Sequence, residues 1–371
     1  MKKSLIRVFI KFGTISFFTI ILWEVVLGIY VHKTDIKIEV PIYSLQNTQG
    51  FWFDLNEDFG TIHLPDHFYR QKKICFDVLY ESNSSGFRDK ERKVKSLDKR
   101  VVVLGDSFME GVGVQVNERV SDLLEIDTKV PHLNYGMAGN FGPTQYYMLY
   151  KTLASTYSHE AILIGILPSN DFIDDDYEIS LRVGGNRYRP FFDGEYPNYK
   201  LVYHANSMNK SSAKPKKHNK LKVFLKNFTY SYNMLAYVKA KRRIKAIPKD
   251  SLLSPEEVPS YFSYSPKQIN RMKYALEQIK LIAGDKPVMV FTIPIFQEIK
   301  AYRKHGENPL GKELSVFCHD LGIEYLDLLP ETDKLSIEQC EEQFLSCDGH
   351  WSALGNSFAK EKIQQYFKYY Q

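Results

Sequence analysis

Two short segments near opposite ends of the main part of the chain carry the residue types of a serine nucleophile and its base. Ser107 ends the run VVVLGDS, while Asp348 and His350 lie in the run DGHW near the C-terminus. A serine hydroxyl is a poor nucleophile at neutral pH unless an imidazole takes its proton and a carboxylate orients that imidazole. We therefore predict that Ser107, His350 and Asp348 act together in acyl chemistry, although either segment alone is also typical of an ordinary loop.

The same chemistry needs hydrogen-bond donors for the negative charge that develops on the attacked carbonyl oxygen. Gly139, in NYGMAGN, can bring its backbone N–H close to a ligand because it has no side chain. Asn170, in PSND, has an amide side chain that can donate. We predict that both contribute to an oxyanion hole, with turn chemistry as the alternative for each segment taken singly.

The elements that must position these residues alternate between strands and helices. Apolar runs of strand length are VVVL from Val101, HLNY from His132, AILIGIL from Ala161, PVMVFTIP from Pro287 and IEYLDLL from Ile323. Helical spacing covers Pro266 to Ala283 and Ser352 to Phe367, with Ser352 in the position of an N-cap. This alternation predicts an α/β fold with a mostly parallel sheet covered on both faces.

Residues 1–33 have the pattern of a membrane anchor. The stretch from Phe12 to Val31 is apolar except for Glu24 and is long enough to cross a bilayer as a helix. The cations before it are Lys2, Lys3, Arg7 and Lys11. By the positive-inside rule they place the N-terminus in the cytoplasm and the rest outside. We predict a single-pass anchor; a cleaved signal peptide and a buried amphipathic helix are the alternatives.

Composition and patterning divide the rest of the chain. With 371 residues, 44% hydrophobic and 25% charged, the chain is neither disordered nor collagen-like. After the anchor we predict a β-rich extension over 34–99, a catalytic domain over 100–175 and 265–371, and an insertion over 176–264 that could act as a lid.

The net charge of +5 is concentrated in that insertion. Between Tyr196 and Lys249 there are 14 cations and no acidic residue, which leaves 35 cations against 44 carboxylates elsewhere. Such a block predicts a solvated cationic surface, a lid, or a patch for anionic lipid headgroups or an acidic polymer. Nucleic acid is not predicted as a partner, because the anchor places this region outside the cytoplasm.

The four cysteines do not form a metal-binding pattern. Cys340 and Cys347 bracket EEQFLS before Asp348, and outside the cytoplasm they could form a disulfide that closes the loop. Three full pairings are open, and Cys75 and Cys318 could instead be buried thiols.

No metal or cofactor is predicted. No His/Cys cluster has zinc-ligand spacing, and GMAGNFG matches no nucleotide-binding loop. The acidic cluster consists of Asp171, Asp174, Asp175 and Asp176. It favours a solvated loop, or salt bridges to the basic insertion, over a metal site.

Four segments in order, VVVLGDSF, NYGMAGN, PSND and DGHW, resemble the SGNH/GDSL hydrolase family over roughly residues 100–175 and 265–370. The resemblance implies a flavodoxin-like three-layer α/β/α sandwich with a five-stranded sheet. It implies Ser107 as the nucleophile, His350 as the base and Asp348 as the residue that orients it. The implied oxyanion donors are the backbone N–H of Ser107 together with Gly139 and Asn170.

Three further features of the sequence bear on that resemblance. NSSGFRD, residues 83–89, is similar to a segment that often precedes the serine block in membrane-linked members. Phe108 stands where GDSL has leucine. The D-x-H-W spacing resembles alginate-acetyltransferase-like members, in which an acyl group passes to a sugar.

We therefore expect a membrane-anchored serine esterase in the periplasm or at the cell surface. Its substrate would be an O-acyl ester, most plausibly an acetyl ester of a carbohydrate or envelope component, cleaved through an acyl-enzyme. One alternative is an O-acyltransferase that moves an acetyl group onto a glycan, because water and a sugar hydroxyl compete for the same acyl-enzyme. The other is a non-catalytic scaffold of a polysaccharide-assembly complex.

Overall fold

The secondary structure follows the predicted alternation of strands and helices. The computed structural model describes residues 2–34, 36–45, 54–182, 187–204, 219–246 and 258–370. The strands are β1 Asp54–Asn56, β2 Gly60–Ile62, β3 Phe68–Lys72, β4 Asp77–Glu81, β5 Val101–Leu104, β6 His132–Asn134, β7 Ala161–Ile166, β8 Pro190–Asp193, β9 Lys200–Tyr203, β10 Val288–Thr292 and β11 Glu324–Asp327. The helices are α1 Lys2–Lys33, α2 Ser107–Glu110, α3 Val120–Thr128, α4 Pro143–Thr152, α5 Pro168–Asp174, α6 Tyr177–Arg182, α7 Lys220–Phe228, α8 Tyr230–Ala246, α9 Pro266–Ala283, α10 Phe296–His305, α11 Pro309–Asp320, α12 Leu328–Glu331, α13 Ile337–Glu342 and α14 Ala353–Tyr366.

The five predicted core strands form one parallel sheet. Its order is β6-β5-β7-β10-β11, and every neighbouring pair is parallel. Numbered by their place along the chain, these strands lie in the order 2-1-3-4-5, which is the flavodoxin-like order. The predicted fold class is therefore confirmed.

Helices cover both faces of this sheet, which explains why its three central strands, β5, β7 and β10, are almost continuously apolar. Val101 and Val103 of β5 pack in one core with α3 and α14. Val102 and Leu104 point the other way, into a core with α4 and α9. Successive side chains of a strand alternate between faces, so two buried layers require a continuous apolar run.

Two helix starts show how local signals set the boundaries. The side chain of Ser265 accepts a hydrogen bond from Gln268 N, so α9 begins at Pro266 as predicted. The side chain of Ser352 accepts from Gly355 N at 3.4 Å and begins α14, the helix that directly follows the DGHW segment.

The extension before the sheet contains two small antiparallel hairpins, β1–β2 and β3–β4. The β3–β4 hairpin turns at Lys73 to Phe76, where Lys73 N donates to Phe76 O at 2.9 Å. This turn reaches the loop that carries Asp348.

Among the described residues, one helix is long and apolar enough to cross a membrane, over Ile6–Lys33. Most of its large apolar side chains are exposed, including Phe12 at 74% and Leu22 at 64%. An apolar helix without protein around it is the pattern of a membrane anchor or of a signal sequence.

The basic block contributes β9 and two helices that lie outside the central sheet. These are α7 and α8, and α8 contacts α1. Most of the run SSAKPKKHNK lies outside the described residues. The predicted cationic surface is therefore described only over residues 196–204 and 219–246.

Candidate active site

Ser107 lies at a sharp turn between strand β5 and helix α2. Gly105 has φ +155°, and a Cβ there would lie 2.2 Å from Met109 Cγ, so the turn requires glycine. The Asp106 carboxylate accepts a hydrogen bond from Phe108 N at 2.9 Å and begins α2. Burial raises the pKa of Asp106 to about 6. This turn presents Ser107 at the carboxyl edge of the sheet, where open α/β sheets place ligands.

Arg88, from the NSSGFRD segment, supports the chain that follows this turn. Its guanidinium donates to Gly111 O and to Val114 O at 2.7 Å. Arg88 is buried, and burial lowers its pKa to about 10. The extension therefore satisfies buried carbonyls of the nucleophile segment, a role that the sequence resemblance pointed to but did not explain.

The predicted base and its partner meet Ser107 directly. His350 Nε2 lies 2.9 Å from Ser107 Oγ, and His350 Nδ1 contacts Asp348 Oδ1. Burial alone would raise the pKa of Asp348, but contacts with His350 and Lys73 hold it well below its usual range. Asp348 is therefore a carboxylate that can fix the imidazole tautomer and stabilise the imidazolium.

The loop that carries Asp348 and His350 is closed on itself. Leu345 N donates to His350 O at 2.7 Å, and Gly349 N donates to Leu345 O at 2.8 Å. Gly349 has φ +94°, which favours glycine there. These bonds make the two-residue D-x-H spacing sufficient for the carboxylate to reach the ring.

Phe108 and Trp351 hold the imidazole from one side. The centroid of the Phe108 ring lies 5.0 Å from that of His350 and 5.2 Å from that of Trp351, with an edge contact to the indole. The phenylalanine that replaces the leucine of GDSL therefore packs on the base.

The predicted pairing of Cys340 with Cys347 is wrong. Cys347 is bonded to Cys75 in the turn of the β3–β4 hairpin, and Cys340 is a buried free thiol. Cys340 instead lies near Arg303, which donates to its Sγ at 3.2 Å. Cys340 lies at the end of α13, which packs on α10, while Cys347 lies on the opposite side of the loop, against the extension.

Lys73 is a site residue that sequence reasoning missed. Its ammonium contacts Asp348 Oδ2, on the opposite side of the carboxylate from His350. Lys73 lies two residues before Cys75, so the disulfide brings this lysine to the loop. A correct Cys75–Cys347 pairing would have been the only sequence signal for it.

Replacing Lys73 by methionine is expected to move the acidic limb of the kcat/KM profile to higher pH, by about one pH unit. Lys73 helps to depress the pKa of the Asp348 carboxylate. Without Lys73, no second cation competes with the His350 imidazolium for the charge of the Asp348 carboxylate. The protonated, inactive base therefore persists to higher pH. The measurement is kcat/KM for p-nitrophenyl acetate across the acidic limb.

The control for this prediction is the neighbouring cation. Lys72 pairs with Asp77 at 3.4 Å, so Lys72→Met removes a positive charge from the same hairpin without touching Asp348. An acidic limb that moves equally in both variants, or in neither, would contradict the assignment of Lys73.

The two predicted oxyanion donors line the same cleft as Ser107. Gly139 has φ +103°, and the loop before it is fixed where Glu110 accepts from Ala138 N. Asn170 Nδ2 donates to Asp174 at 3.0 Å and to Asp106 at 3.4 Å. In this structure the Asn170 amide nitrogen is therefore engaged with two carboxylates.

The acidic cluster that begins in PSND is not a solvated loop, because its members are engaged with the protein. Asp171 accepts from Tyr146 OH at 2.8 Å, Asp175 accepts from Thr144 N, and Asp176 pairs with Arg271. Burial raises the pKa of Asp175 to about 7 and also raises the pKa of Asp171. Asp174 pairs with Arg189 of the insertion at 3.6 Å, which is a salt bridge of the predicted kind, whereas the partner of Asp176 belongs to α9.

The cleft around Ser107 has a volume of about 1100 Å³ and a wall in which polar and apolar side chains are mixed. Polar side chains that line it are Gln71, Asn140, Ser169 and Gln297, and charged ones are Lys37, Glu39, Lys73, Arg187, Lys226 and Glu341. The described part of the chain contains no group of three His, Cys, Asp or Glu side chains placed to hold a metal ion. The chemistry available here is that of the serine, the imidazole and their neighbours.

At the carboxyl edge of the parallel sheet a serine contacts a histidine, and the histidine contacts a carboxylate. This is the arrangement that α/β serine hydrolases use. The structure thus brings together all the predicted site residues, and it adds Lys73. Their catalytic roles stay predictions.

The comparisons with known proteins found similar solved structures. No family model matches the sequence, and no curated protein matches it. The structure is similar to a member of the lipolytic protein G-D-S-L family from Veillonella parvula DSM 2008, with 11% identity and a TM-score of 0.35 over 72% of this chain and 98% of that one. It is also similar to a lipase/acylhydrolase from Enterococcus faecalis, with 12% identity and a TM-score of 0.37 over 72% and 97%.

A third match is a crystal structure of TesA, with 11% identity and a TM-score of 0.39 over 74% of this chain and all of that one. Proteins of G-D-S-L name, the family that the four sequence segments resemble, are among the matches. The D-x-H-W variant stays a prediction. At these identities the likeness is one of fold, so activity is inferred from the site itself.

Proposed function

We propose that this chain is a membrane-anchored, extracytoplasmic serine esterase that hydrolyses O-acyl esters. The observation that carries the proposal is the 2.9 Å approach of His350 Nε2 to Ser107 Oγ, with Asp348 on the other ring nitrogen. A serine with a base in hydrogen-bond reach and a carboxylate behind that base has what nucleophilic catalysis requires.

The steps follow from these contacts. Ser107 Oγ attacks the ester carbonyl while His350 takes the hydroxyl proton, and Asp348 stabilises the imidazolium that forms. The carbonyl oxygen becomes negative and is met by Asn170, Gly139 N–H and Ser107 N–H. The imidazolium then protonates the leaving alcohol, which departs and leaves an acyl group on Ser107. Water activated by His350 releases the acid.

A carbohydrate O-acetyl ester is the substrate class that the cleft supports best. The cleft is far larger than an acetyl group, and its wall offers amide and hydroxyl groups such as Gln71, Asn140 and Ser169. Hydroxyl-rich ligands need many such hydrogen-bond partners.

The test is labelling by a fluorophosphonate and turnover of p-nitrophenyl acetate by the full-length protein. Both are expected in the wild type and both should vanish in Ser107→Ala. Ser346 lines the same cleft, so Ser346→Ala is the matched control and should keep labelling and turnover. A folded wild type that neither labels nor turns over would contradict the esterase and favour a non-catalytic scaffold.

Acyl transfer to a sugar is the second candidate, and the cleft volume of about 1100 Å³ favours it because acetyl donor and acceptor could occupy it in turn. Both reactions share the acyl-enzyme and differ in what accepts the acyl group. Adding a glycan acceptor to the p-nitrophenyl acetate assay separates them. Acetylated glycan with little free acetate indicates the transferase, whereas free acetate alone indicates the esterase.

A further inference from the structure

Helix α7 separates the catalytic cleft from the anchor helix α1 and presents a different face to each. Val223 and Lys226 of α7 line the cleft. Leu221, Phe224 and Phe228 are three and four residues apart, so they form one stripe, here called the outer stripe. Because successive helical residues turn by about 100°, the outer stripe lies almost opposite the face that lines the cleft.

The outer stripe is apolar and open to solvent over its first half. Leu221 is 62% exposed and Phe224 is 45% exposed. The Phe224 and Phe228 rings are stacked, with their centroids 4.8 Å apart. Lys220 and Lys222 are exposed beside it. An apolar stripe with flanking lysines is the pattern of a helix that lies in the surface of a membrane.

The far end of the outer stripe is joined to the anchor. Phe228 lines an apolar groove of about 460 Å³ whose other wall is α1, from Glu24 to Lys33. Tyr43 closes the groove and contacts the Phe228 ring edge-on at 6.1 Å. The outer stripe is therefore continuous with the surface of the helix that enters the membrane.

Helix α8, which follows directly, is fixed to the same part of α1. The Glu24 carboxylate accepts hydrogen bonds from Tyr230 N at 2.7 Å and from Ser231 N at 3.3 Å. The Tyr230 ring packs on Gly28, where an added Cβ would lie 3.1 Å from it, and the Tyr230 hydroxyl lies 3.2 Å from His32 Nε2. Glu24, the one charge within the apolar stretch, thus anchors the start of α8 to the last turns of α1.

The cleft itself begins close to the same end of α1. Lys37 and Glu39 follow Lys33 by four and six residues and line the cleft. Glu39 pairs with Lys226 of α7 at 2.7 Å. One wall of the cleft is therefore built from the chain that leaves the anchor and from α7.

The charge of these helices suits an anionic surface. No acidic residue occurs between Tyr196 and Lys249, and the exposed cations of α7 and α8 include Lys220, Lys222, Lys239, Lys241 and Arg242. Cations beside a membrane attract anionic headgroups, and an apolar stripe among them adds burial in the bilayer. An acidic polymer would match the cations but would leave Leu221 and Phe224 in water.

We propose that the outer stripe of α7 docks on the surface of a phospholipid membrane that carries anionic headgroups. This inference rests on the proposed function for the anchor and for the ester substrate. Docking holds one wall of the cleft at the membrane surface, so the substrate is an acyl ester displayed there, on a surface-bound or lipid-linked glycan, rather than one that diffuses freely.

The experiment uses full-length protein reconstituted into phosphatidylcholine vesicles, with and without phosphatidylglycerol. An environment-sensitive fluorophore is attached to Leu221→Cys, and doxyl-labelled lipid serves as the quencher. The matched control is Leu281→Cys on α9, a leucine that is 73% exposed. Labelled wild type gives the background from Cys318 and Cys340, which are buried.

The label at position 221 is expected to be quenched about threefold more than the label at position 281, more so with phosphatidylglycerol and less so at high salt. Equal quenching at the two positions would overturn the proposal. An unquenched label at position 221 would also overturn it if the protein binds an acidic polysaccharide and Lys220→Gln/Lys222→Gln abolishes that binding. The cations beside the outer stripe would then bind a polymer rather than a membrane.

A second variant separates this proposal from the proposed function. Leu221→Ser/Phe224→Ser lies outside the cleft wall, so its turnover of soluble p-nitrophenyl acetate should equal that of the wild type. Its turnover of an acyl ester displayed on vesicles should fall about tenfold. Equal loss on both substrates would overturn membrane docking. If the wild type fails to float with vesicles, the predicted anchor is wrong, whatever the esterase activity of the protein.

Discussion

Replacing Asp348 by asparagine is expected to lower kcat for p-nitrophenyl acetate by about 10⁴-fold. The amide keeps the size of the side chain but can donate to His350 Nδ1, which favours the wrong imidazole tautomer. It also removes the charge that stabilises the imidazolium, and it faces Lys73 with a neutral group. KM should change little, since Asp348 does not contact the reacting atoms.

The depressed pKa of Asp348 gives this prediction a second readout. Because that pKa lies below the usual range, the carboxylate stays charged throughout the pH range in which a histidine base works. Asp348→Asn should therefore lower kcat by a similar factor at each pH on the plateau. Asp77→Asn, which removes a carboxylate that pairs with Arg70 on the same hairpin, is the control and should retain activity. A loss below about tenfold in Asp348→Asn would mean that another group orients His350.

The sheet and its site could be predicted because their signals are local. The three central strands of the sheet are almost continuous apolar runs, and the two caps, Ser265 and Ser352, lie where the helical periodicity starts. The parallel topology then brings the ends of successive strands to one edge, which explains why Ser107, Gly139 and Asn170 line one cleft although they are far apart in sequence.

The contributions of the extension and the insertion could not be predicted in this way. The pairing of Cys75 joins residues 272 apart, and spacing alone cannot select it among the alternatives. Lys73 reaches Asp348 only because of that pairing. Val223 and Lys226 lie in a basic run whose charge density predicts solvent exposure, yet tertiary packing turns them toward the cleft. In the sequence Glu24 interrupts the predicted anchor. In the structure its carboxylate accepts hydrogen bonds from the N–H groups that begin α8.

Removing the Cys75–Cys347 disulfide is expected to lower the free energy of unfolding by about 5 kcal/mol, because the bond closes a very long loop and so restricts the unfolded chain. It should also lower kcat by about tenfold, since the hairpin with Lys73 would no longer be tied to the loop with Asp348. The variant is Cys75→Ser/Cys347→Ser, and the measurements are the thermal midpoint and the turnover of p-nitrophenyl acetate.

The reductant itself provides the control for this prediction. Reduction of the wild type should reproduce both losses, while the double variant should not respond to reductant, because the two remaining cysteines are free and buried. A non-reduced digest should contain a Cys75 peptide linked to a Cys347 peptide. A Cys340–Cys347 link in that digest would contradict the geometry and would detach the extension from the site. A double variant with normal activity but reduced stability would mean that the hairpin is held at Asp348 by Lys73 and the surrounding packing, and that the disulfide acts on stability alone.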